Sequence, residues 1–397
     1  MPQYLAPGVY VEEVPPLARP IAGVGTSTAA FIGVVADNVT MPFKPGRPLD
    51  PNNTVPADFF TIGDAGKAIQ VTGWEEFKNT FGDIQAGNKV LALAVFGFFH
   101  NGGTACWIVR RNAASDLDDI ADDLALFEPI DDISIVAAPG LTTKVQQDAV
   151  IDHCEKMLDR VAVLDGNPSD SAPLTANDLK GGTAAQPTKN SSFAALYYPW
   201  LQVFDPVTQA IIAHPPSGHV AGLYARTDAT RGVFKAPAND SLRGAVGVVR
   251  QLSKTQQGLV NPAGINIIRV FDGNVNVFGA RTLGGDANGE FRYISTRRYF
   301  NFLRESIDEG TQFVVFEPNS PALWQRIIRS VGDFLLNQYN DGALFGETAK
   351  QAFFVKCDAE TNPSQVREAG MVVTEIGVAI VKPAEFVIFR IQQITGS

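Results

Sequence analysis

Short apolar runs alternate with stretches of helical periodicity through the first two thirds of the chain. Thr28–Val35, Cys106–Val109, Ile133–Ala137 and Val161–Leu164 are mainly apolar segments of strand length, the signature of buried strands. Between them, Trp74–Phe81, Val90–His100, the acidic Leu117–Phe127 and Lys144–Asp159 carry helical spacing, and Val150, Ile151, Cys154 and Leu158 form one stripe of the last. Asn101, Gly102 and Gly103 close the second helix. Strands separated by helices predict an α/β layer built on a mainly parallel sheet. Pro42, Pro45, Pro48, Pro51 and Pro56 mark an irregular excursion, and Gly166–Ser192, rich in Gly, Ser, Thr, Pro and Asn, predicts a long exposed loop. Ala194–Val203 is expected to return to the sheet, and Gly218–Val233 to form a further helix.

The character changes near Asn261-Pro262. Ile265–Phe271 and Val275–Ala280 read as a hairpin turned at Asp272-Gly273, followed by a helix over Arg297–Glu309 and a strand over Phe313–Phe316. A second helix starts at Pro321, where proline suits the first turn, and Ala352–Lys356 and Val372–Ala379 supply strands. The expected organisation is an N-terminal arm (1–20), an outer α/β domain (21–260), an inner α+β domain (261–383) and a C-terminal arm (384–397).

Both arms are strand-like and apolar. In Glu385–Ser397, Val387, Phe389 and Ile391 fall on one face, Phe386 and Ile388 on the other, before Arg390 and Gln392. At the opposite end, Tyr4, Val9, Tyr10 and Val11 flank a Pro7-Gly8 kink that runs into Pro15, Pro16 and Pro20. An apolar strand with an open edge invites pairing with other chains. Two readings stand: arms lent to neighbouring subunits, or termini paired within their own monomer.

Charge and candidate chemistry narrow the class. A net charge of −10 argues against general attraction to nucleic acid or anionic membrane. The longest apolar stretch, Val90–Phe99, is far short of the ~20 residues a membrane helix needs. The start has no basic region followed by an apolar core, so no secretory signal is expected. Cys106, Cys154 and Cys357 match no zinc or disulfide spacing and are expected as buried thiols of a reducing cytoplasm. Gly63-Asp-Ala-Gly66-Lys67 is too short for a phosphate loop and lacks the following Ser or Thr; Gly284–Glu290 lacks calcium-loop spacing. His214 and His219 are five apart across Pro215-Pro216, and His153 and Cys154 diverge on a helix. The pairs Asp118-Asp119, Asp122-Asp123 and Asp131-Asp132 are expected on an acidic surface. No catalytic residue, metal ligand or cofactor site emerges.

Several segments resemble the contractile tail sheath family of phage tails, R-type pyocins and extracellular contractile injection systems. They include Tyr4–Glu13, Ala195–Trp200, Pro215–Gly232, Gly279–Leu283, Arg297–Ile307, Phe313–Pro318, Ala352–Asp358 and Lys382–Arg390. Phe278 and Phe291 stand where that family often has tryptophan, and Tyr339-Asn340-Asp341 replaces a common Trp-Arg pairing. The resemblance implies a non-enzymatic subunit of stacked hexameric rings around an inner tube, with baseplate and terminator or cap proteins as further partners. It would be assembled in the bacterial cytoplasm as part of a phage tail or tail-like particle. It also implies that the arm strands join a small sheet of adjacent subunits, with Pro15, Pro16, Pro20 and Pro383 bounding hinges.

In the Pro321–Tyr339 helix, Trp324, Ile327, Ile328, Val331, Leu335 and Tyr339 form the apolar stripe, opposite Arg326, Arg329 and Asp333. By resemblance Arg326 and Arg329 touch the tube; the plainer alternative is a solvated face with an Arg329–Asp333 pair. Arg297 and Arg298, at a helix start, are expected to organise the domain or a subunit contact. An α/β enzyme or small-ligand-binding protein is the rival class, and a monomeric adhesin or scaffold the third.

Overall fold

The computed structural model describes residues 20–46, 55–172, 174–183 and 185–390. The chain divides into a larger unit, Val24–Glu305 with the segment from Lys382 onward, and a smaller unit, Ser306–Val381 with the residues up to Gly23. The division falls after Glu305 and not at the expected 260/261, because the strand that follows Asn261-Pro262 is hydrogen-bonded into the main sheet.

That sheet is built from β1 (Thr28–Val34), β2 (Ala68–Val71), β3 (Cys106–Arg111), β4 (Ile133–Ala137), β5 (Val161–Asp165) and β6 (Ala194–Tyr198). After β7 (Leu201–Asp205), β8 (Ala210–His214), β9 (Asp240–Ser241) and β10 (Ala245–Val248) come β11 (Ile265–Phe271) and β12 (Asn274–Val277). The order is β2-β3-β1-β4-β5-β6-β11-β12-β9. Pairing from β3 to β11 is parallel, and β2, β12 and β9 add antiparallel edges.

Alternation sends successive side chains to opposite faces. Ala29 and Phe31 of β1 enter one core with Phe77, Phe98 and Tyr224, while Ala30 and Ile32 enter the other with Val136, Ile151 and Cys154. Both faces are covered by helices, so strands such as β5 are buried at every position. On the first face the Lys89–Asn101 and Ser217–Arg231 helices pack closely: a Cβ on Gly97 would lie 2.4 Å from the His219 ring, and one on Gly222 2.3 Å from the Phe98 carbonyl oxygen.

Several expected elements take other forms. Leu117–Phe127 is not one helix; a 3-10 turn over Ala114–Leu117 and a short helix over Ala121–Ala125 replace it. Asp123 faces inward, fully buried against Arg111 at 2.5 Å, so this acidic run is not wholly solvated. The Gly166–Ser192 segment is not simply exposed: Leu174, Leu179, Lys180 and Thr188 are buried, and Gln147 fixes it through Gly181 and Thr188. Ala194–Val203 splits at Pro199, which has no N–H for a ladder, and β7 leaves for a separate antiparallel sheet of order β10-β7-β8.

The smaller unit holds the end of the Ile294–Thr311 helix, the Pro321–Asn340 helix, and a ribbon of β13 (Phe353–Lys356) and β14 (Glu375–Val378). The predicted strand at Phe313–Phe316 is instead a 3-10 turn over Gln312–Val314, and Phe316 stands fully exposed at φ 64°. An apolar run this short fits either state, so its period could not arbitrate. The expected Phe386–Arg390 strand carries no ladder within the described residues.

The buried Arg298 is paired. Arg298 donates to both carboxylate oxygens of Asp228 (2.9 and 2.5 Å) and to the Thr26 carbonyl (2.8 Å), beneath the Tyr224 ring. Arg297 lies between the Phe193 and Phe291 rings at 4.2 and 3.4 Å. Both arginines thus organise the larger unit.

Candidate functional site

Tyr4, Val9, Tyr10, Val11 and Ile391 lie outside the described residues. Phe386, Val387, Ile388, Phe389 and Arg390 are described, and the first four side chains are 69–85% exposed. Four consecutive exposed apolar side chains form a surface that water disfavours and a partner strand could cover.

This segment leaves the larger unit from a fixed point that sequence reasoning missed. Glu385 Oε1 accepts from Arg281 Nε and Asn261 Nδ2, each at 2.8 Å. Its Oε2 accepts from Arg281 Nη2 at 2.7 Å and the Tyr293 hydroxyl at 2.9 Å. Arg281 is 3% exposed, and its Nη1 donates to Asp286 at 2.9 Å. Asn266 of β11 pins the Arg281 backbone, accepting from its N–H and donating to its carbonyl. Burial works against ionisation of Glu385, but the bonds from Arg281, Asn261 and Tyr293 outweigh it and hold the carboxyl below its usual range. No sequence spacing links 261, 281, 293 and 385; only the acidic residue in an otherwise apolar arm hinted at it.

The β13–β14 ribbon is open. Phe353, Phe354, Val355 and Lys356 pair antiparallel with Val378, Gly377, Ile376 and Glu375, and among the described residues no other strand joins either edge. The Phe354 ring folds over Gly377, where a Cβ would lie 2.1 Å away, yet Phe354 remains 56% exposed.

The Pro321–Asn340 helix begins at Ser320, whose Oγ accepts from the Leu323 N–H. Its buried stripe is Leu323, Trp324, Ile327, Ser330, Val331, Phe334 and Leu335. Ile328 and Tyr339 sit only half-buried at its margin, so the stripe is rotated from the expected one. Arg326 is half-buried over the Phe313 ring and lies 3.4 Å from Glu317. Arg329 is exposed, and among the described residues it forms no ion pair with Asp333.

Elsewhere the candidate chemistry resolves into structure. Lys67 is paired with Asp64 at 2.6 Å on the surface. Burial, reinforced by Arg160, lowers His153 to about 4, and burial raises the Cys154 thiol. His214 and His219 are buried with ring centroids 5.7 Å apart. Among the described residues, no group of three or more His, Cys, Asp or Glu side chains could hold a metal ion. A polar cavity of about 220 Å³ is lined by Thr227, Thr230, Arg231, Lys235 and Asp240, but Lys235 is spent on the carbonyls of Ala236 and Ala238. No helix among the described residues is long and apolar enough to cross a membrane.

Comparison with known proteins gives a consistent result. Residues 113–283 match the phage tail sheath protein central domain, and residues 286–394 the phage tail sheath C-terminal domain. A prophage major tail sheath protein of Pseudomonas aeruginosa strain UCBPP-PA14 is 26% identical over 65% of this chain and 64% of its own length. The tail sheath protein of Burkholderia phage BcepMu is 27% identical over 63% and 53%. The chain therefore spans less than two thirds of these curated relatives. Among solved structures, the PVC sheath complex of an extracellular contractile injection system in its contracted state is 29% identical, with TM-score 0.76 over 99% of both chains. The contracted helical sheath of the anti-feeding prophage is 29% identical, with TM-score 0.75 over 98% of this chain and 99% of that one. Two consecutive domain matches over residues 113–394 and the shared topology thus converge, and the chain belongs to the phage tail sheath family, whose members are structural proteins rather than enzymes.

Proposed function

We propose that the chain is a structural subunit of a contractile sheath, polymerised around an inner tube, whose contraction drives the tube through a target envelope. The observation that carries this reading is the exposed apolar segment Phe386–Phe389 leaving a firmly held Glu385, in a molecule that also offers an open ribbon. A lent strand satisfies both needs: backbone hydrogen bonds give attachment, and alternating side chains give register. At ~1 kcal/mol net per hydrogen bond, about five or six bonds give only several kcal/mol, to which burial of Phe386, Ile388 and Phe389 adds. Each joint is modest; a lattice of them can rearrange without coming apart.

In this reading Tyr4, Val9, Tyr10 and Val11 of the N-terminal arm and Phe386–Ile391 of the C-terminal arm pair with strands of other copies, and the β13–β14 ribbon is the recipient. Globular bodies turn while the arms stay paired. The smaller unit faces the tube through Arg326 and Arg329, and the α/β body forms the outer part. Partners are further copies in stacked hexameric rings, an inner tube protein, a baseplate and a cap. Assembly takes place in the bacterial cytoplasm, and the particle is a phage tail or a relative of one. Similar chains in a contracted sheath and in an anti-feeding prophage baseplate support the assignment.

Deleting Phe386–Ser397 tests it. The truncated subunit is expected to fold and to form no long sheaths by negative-stain electron microscopy. Normal tubes from the truncated chain would remove the basis of the proposal.

A further inference from the structure

The boundary between held and free chain at the C-terminal arm is one residue wide. Glu385 Oε1 accepts from two donors and Oε2 from three, all supplied by Asn261, Arg281 and Tyr293. Because Asn266 of β11 fixes the Arg281 backbone, this cradle is an extension of the main sheet and moves with it. The next residue, Phe386, is already 69% exposed. Between Val381, whose N–H donates to the Ala343 carbonyl, and Glu385, the hold is weak: the Lys382–Glu290 pair at 2.9 Å is largely exposed on both sides. A bidentate Arg–carboxylate contact on a buried guanidinium is far more directional than such a surface pair.

We infer that Glu385 is the pivot of the C-terminal arm, fixing the point from which the arm reaches a second copy of this chain and so setting the spacing between joined copies. The inference rests on the strand-lending reading above. From a held Glu385, an extended Phe386–Ile391 spans at most ~20 Å, so the recipient must lie close to the Arg281 cradle. Releasing Glu385 moves the origin back toward Lys382, three residues upstream, and adds up to about 10 Å of reach. A recipient could then be met over a range of distances, and a single lattice spacing would no longer be imposed.

Sheaths assembled from full-length variants test this by cryo-electron microscopy, with circular dichroism to establish folding. Glu385→Ala is expected to fold like the parent but to shorten sheaths several-fold and broaden their axial rise. Glu385→Gln, which keeps the length and an acceptor for Arg281, is expected to recover part of both. Two glycines inserted between Glu385 and Phe386 leave the cradle intact yet add up to ~7 Å, and should shift the rise without loss of stability; a purely stabilising role for Glu385 predicts no shift. Glu290→Ala, which removes only the surface pair, is expected to give parental sheaths. Parental length and rise in Glu385→Ala, or an unchanged rise in the insertion, overturns the pivot. Loss of sheaths on deleting Phe386–Ser397 together with parental Glu385→Ala sheaths refutes the pivot alone; normal sheaths from the deletion refute the strand-lending reading beneath it.

Discussion

Removing Asp228 should uncouple the helix that begins at Ile294 from the body it is packed on. Arg298 and Asp228 side chains are only 3% and 6% exposed, and the shorter of their two contacts is 2.5 Å. The same carboxylate accepts from the Thr26 hydroxyl at 2.7 Å, so one side chain ties three separate stretches of chain. Asp228→Ala leaves a guanidinium in the interior with only the Thr26 carbonyl and the Tyr224 ring as partners. Breaking a buried pair from one side typically costs ~3–5 kcal/mol, because the surviving charge keeps its desolvation penalty. With ~2–4 °C per kcal/mol for a domain of this size, the midpoint should fall by roughly 6–20 °C. Urea unfolding followed by tryptophan fluorescence measures the free energy directly. The apolar double variant Arg298→Met/Asp228→Leu removes both charges and should recover most of the loss. A single variant within ~1 kcal/mol of the parent, or a double variant as unstable as the single, would refute the argument that pairing, and not shape, holds this site.

Three other outcomes are expected. Gly97→Ala would set a methyl 2.4 Å from the His219 ring, and overpacking of this kind costs ~1–3 kcal/mol; an unchanged melting temperature discards the close-packing account. Burial, then the nearby His100, lowers His219 to about 4, so the unfolded chain binds the extra proton and stability is lost as pH falls from about 6.5 to about 4. This is worth up to ~3 kcal/mol at order of magnitude, and His219→Gln should flatten that part of the urea midpoint-versus-pH curve; an identical slope contradicts it. Arg326→Glu with Arg329→Glu should cost less than ~1 kcal/mol of stability while reducing co-purification with the tube protein, and unchanged co-assembly would discard the tube-facing role.

Much of the larger unit was legible because strand and helix differ sharply in period. Thr28–Val35, Ile133–Ala137 and Val161–Leu164 are apolar without alternation, and each is a strand covered on both faces. Legibility ended where long-range partners decide. Asp123 belongs to an acidic run, yet Arg111 draws it inside. Pro199 diverts β7 to another sheet, a switch that apolar patterning cannot register. The boundary at Asn261-Pro262 was a local break in composition, while the pairing of Ile265 with Leu196 joins strands far apart in sequence. The apolar run of the arm was plain in the sequence, though Phe386–Arg390 forms no ladder among the described residues. Its cradle was not, since the residues that meet Glu385 are more than ninety positions upstream.

The β13–β14 ribbon has a mechanical corollary. Two four-residue strands, packed on the Pro321–Asn340 helix and extended by a Leu344–Ile380 bridge, make a short sheet that gains stability from any strand added to its edge. In the proposed lattice that edge lies where tension will later pass. Rigidity would arrive only as borrowed strands widen the ribbon, making toughness a trait of the polymer that no single molecule possesses.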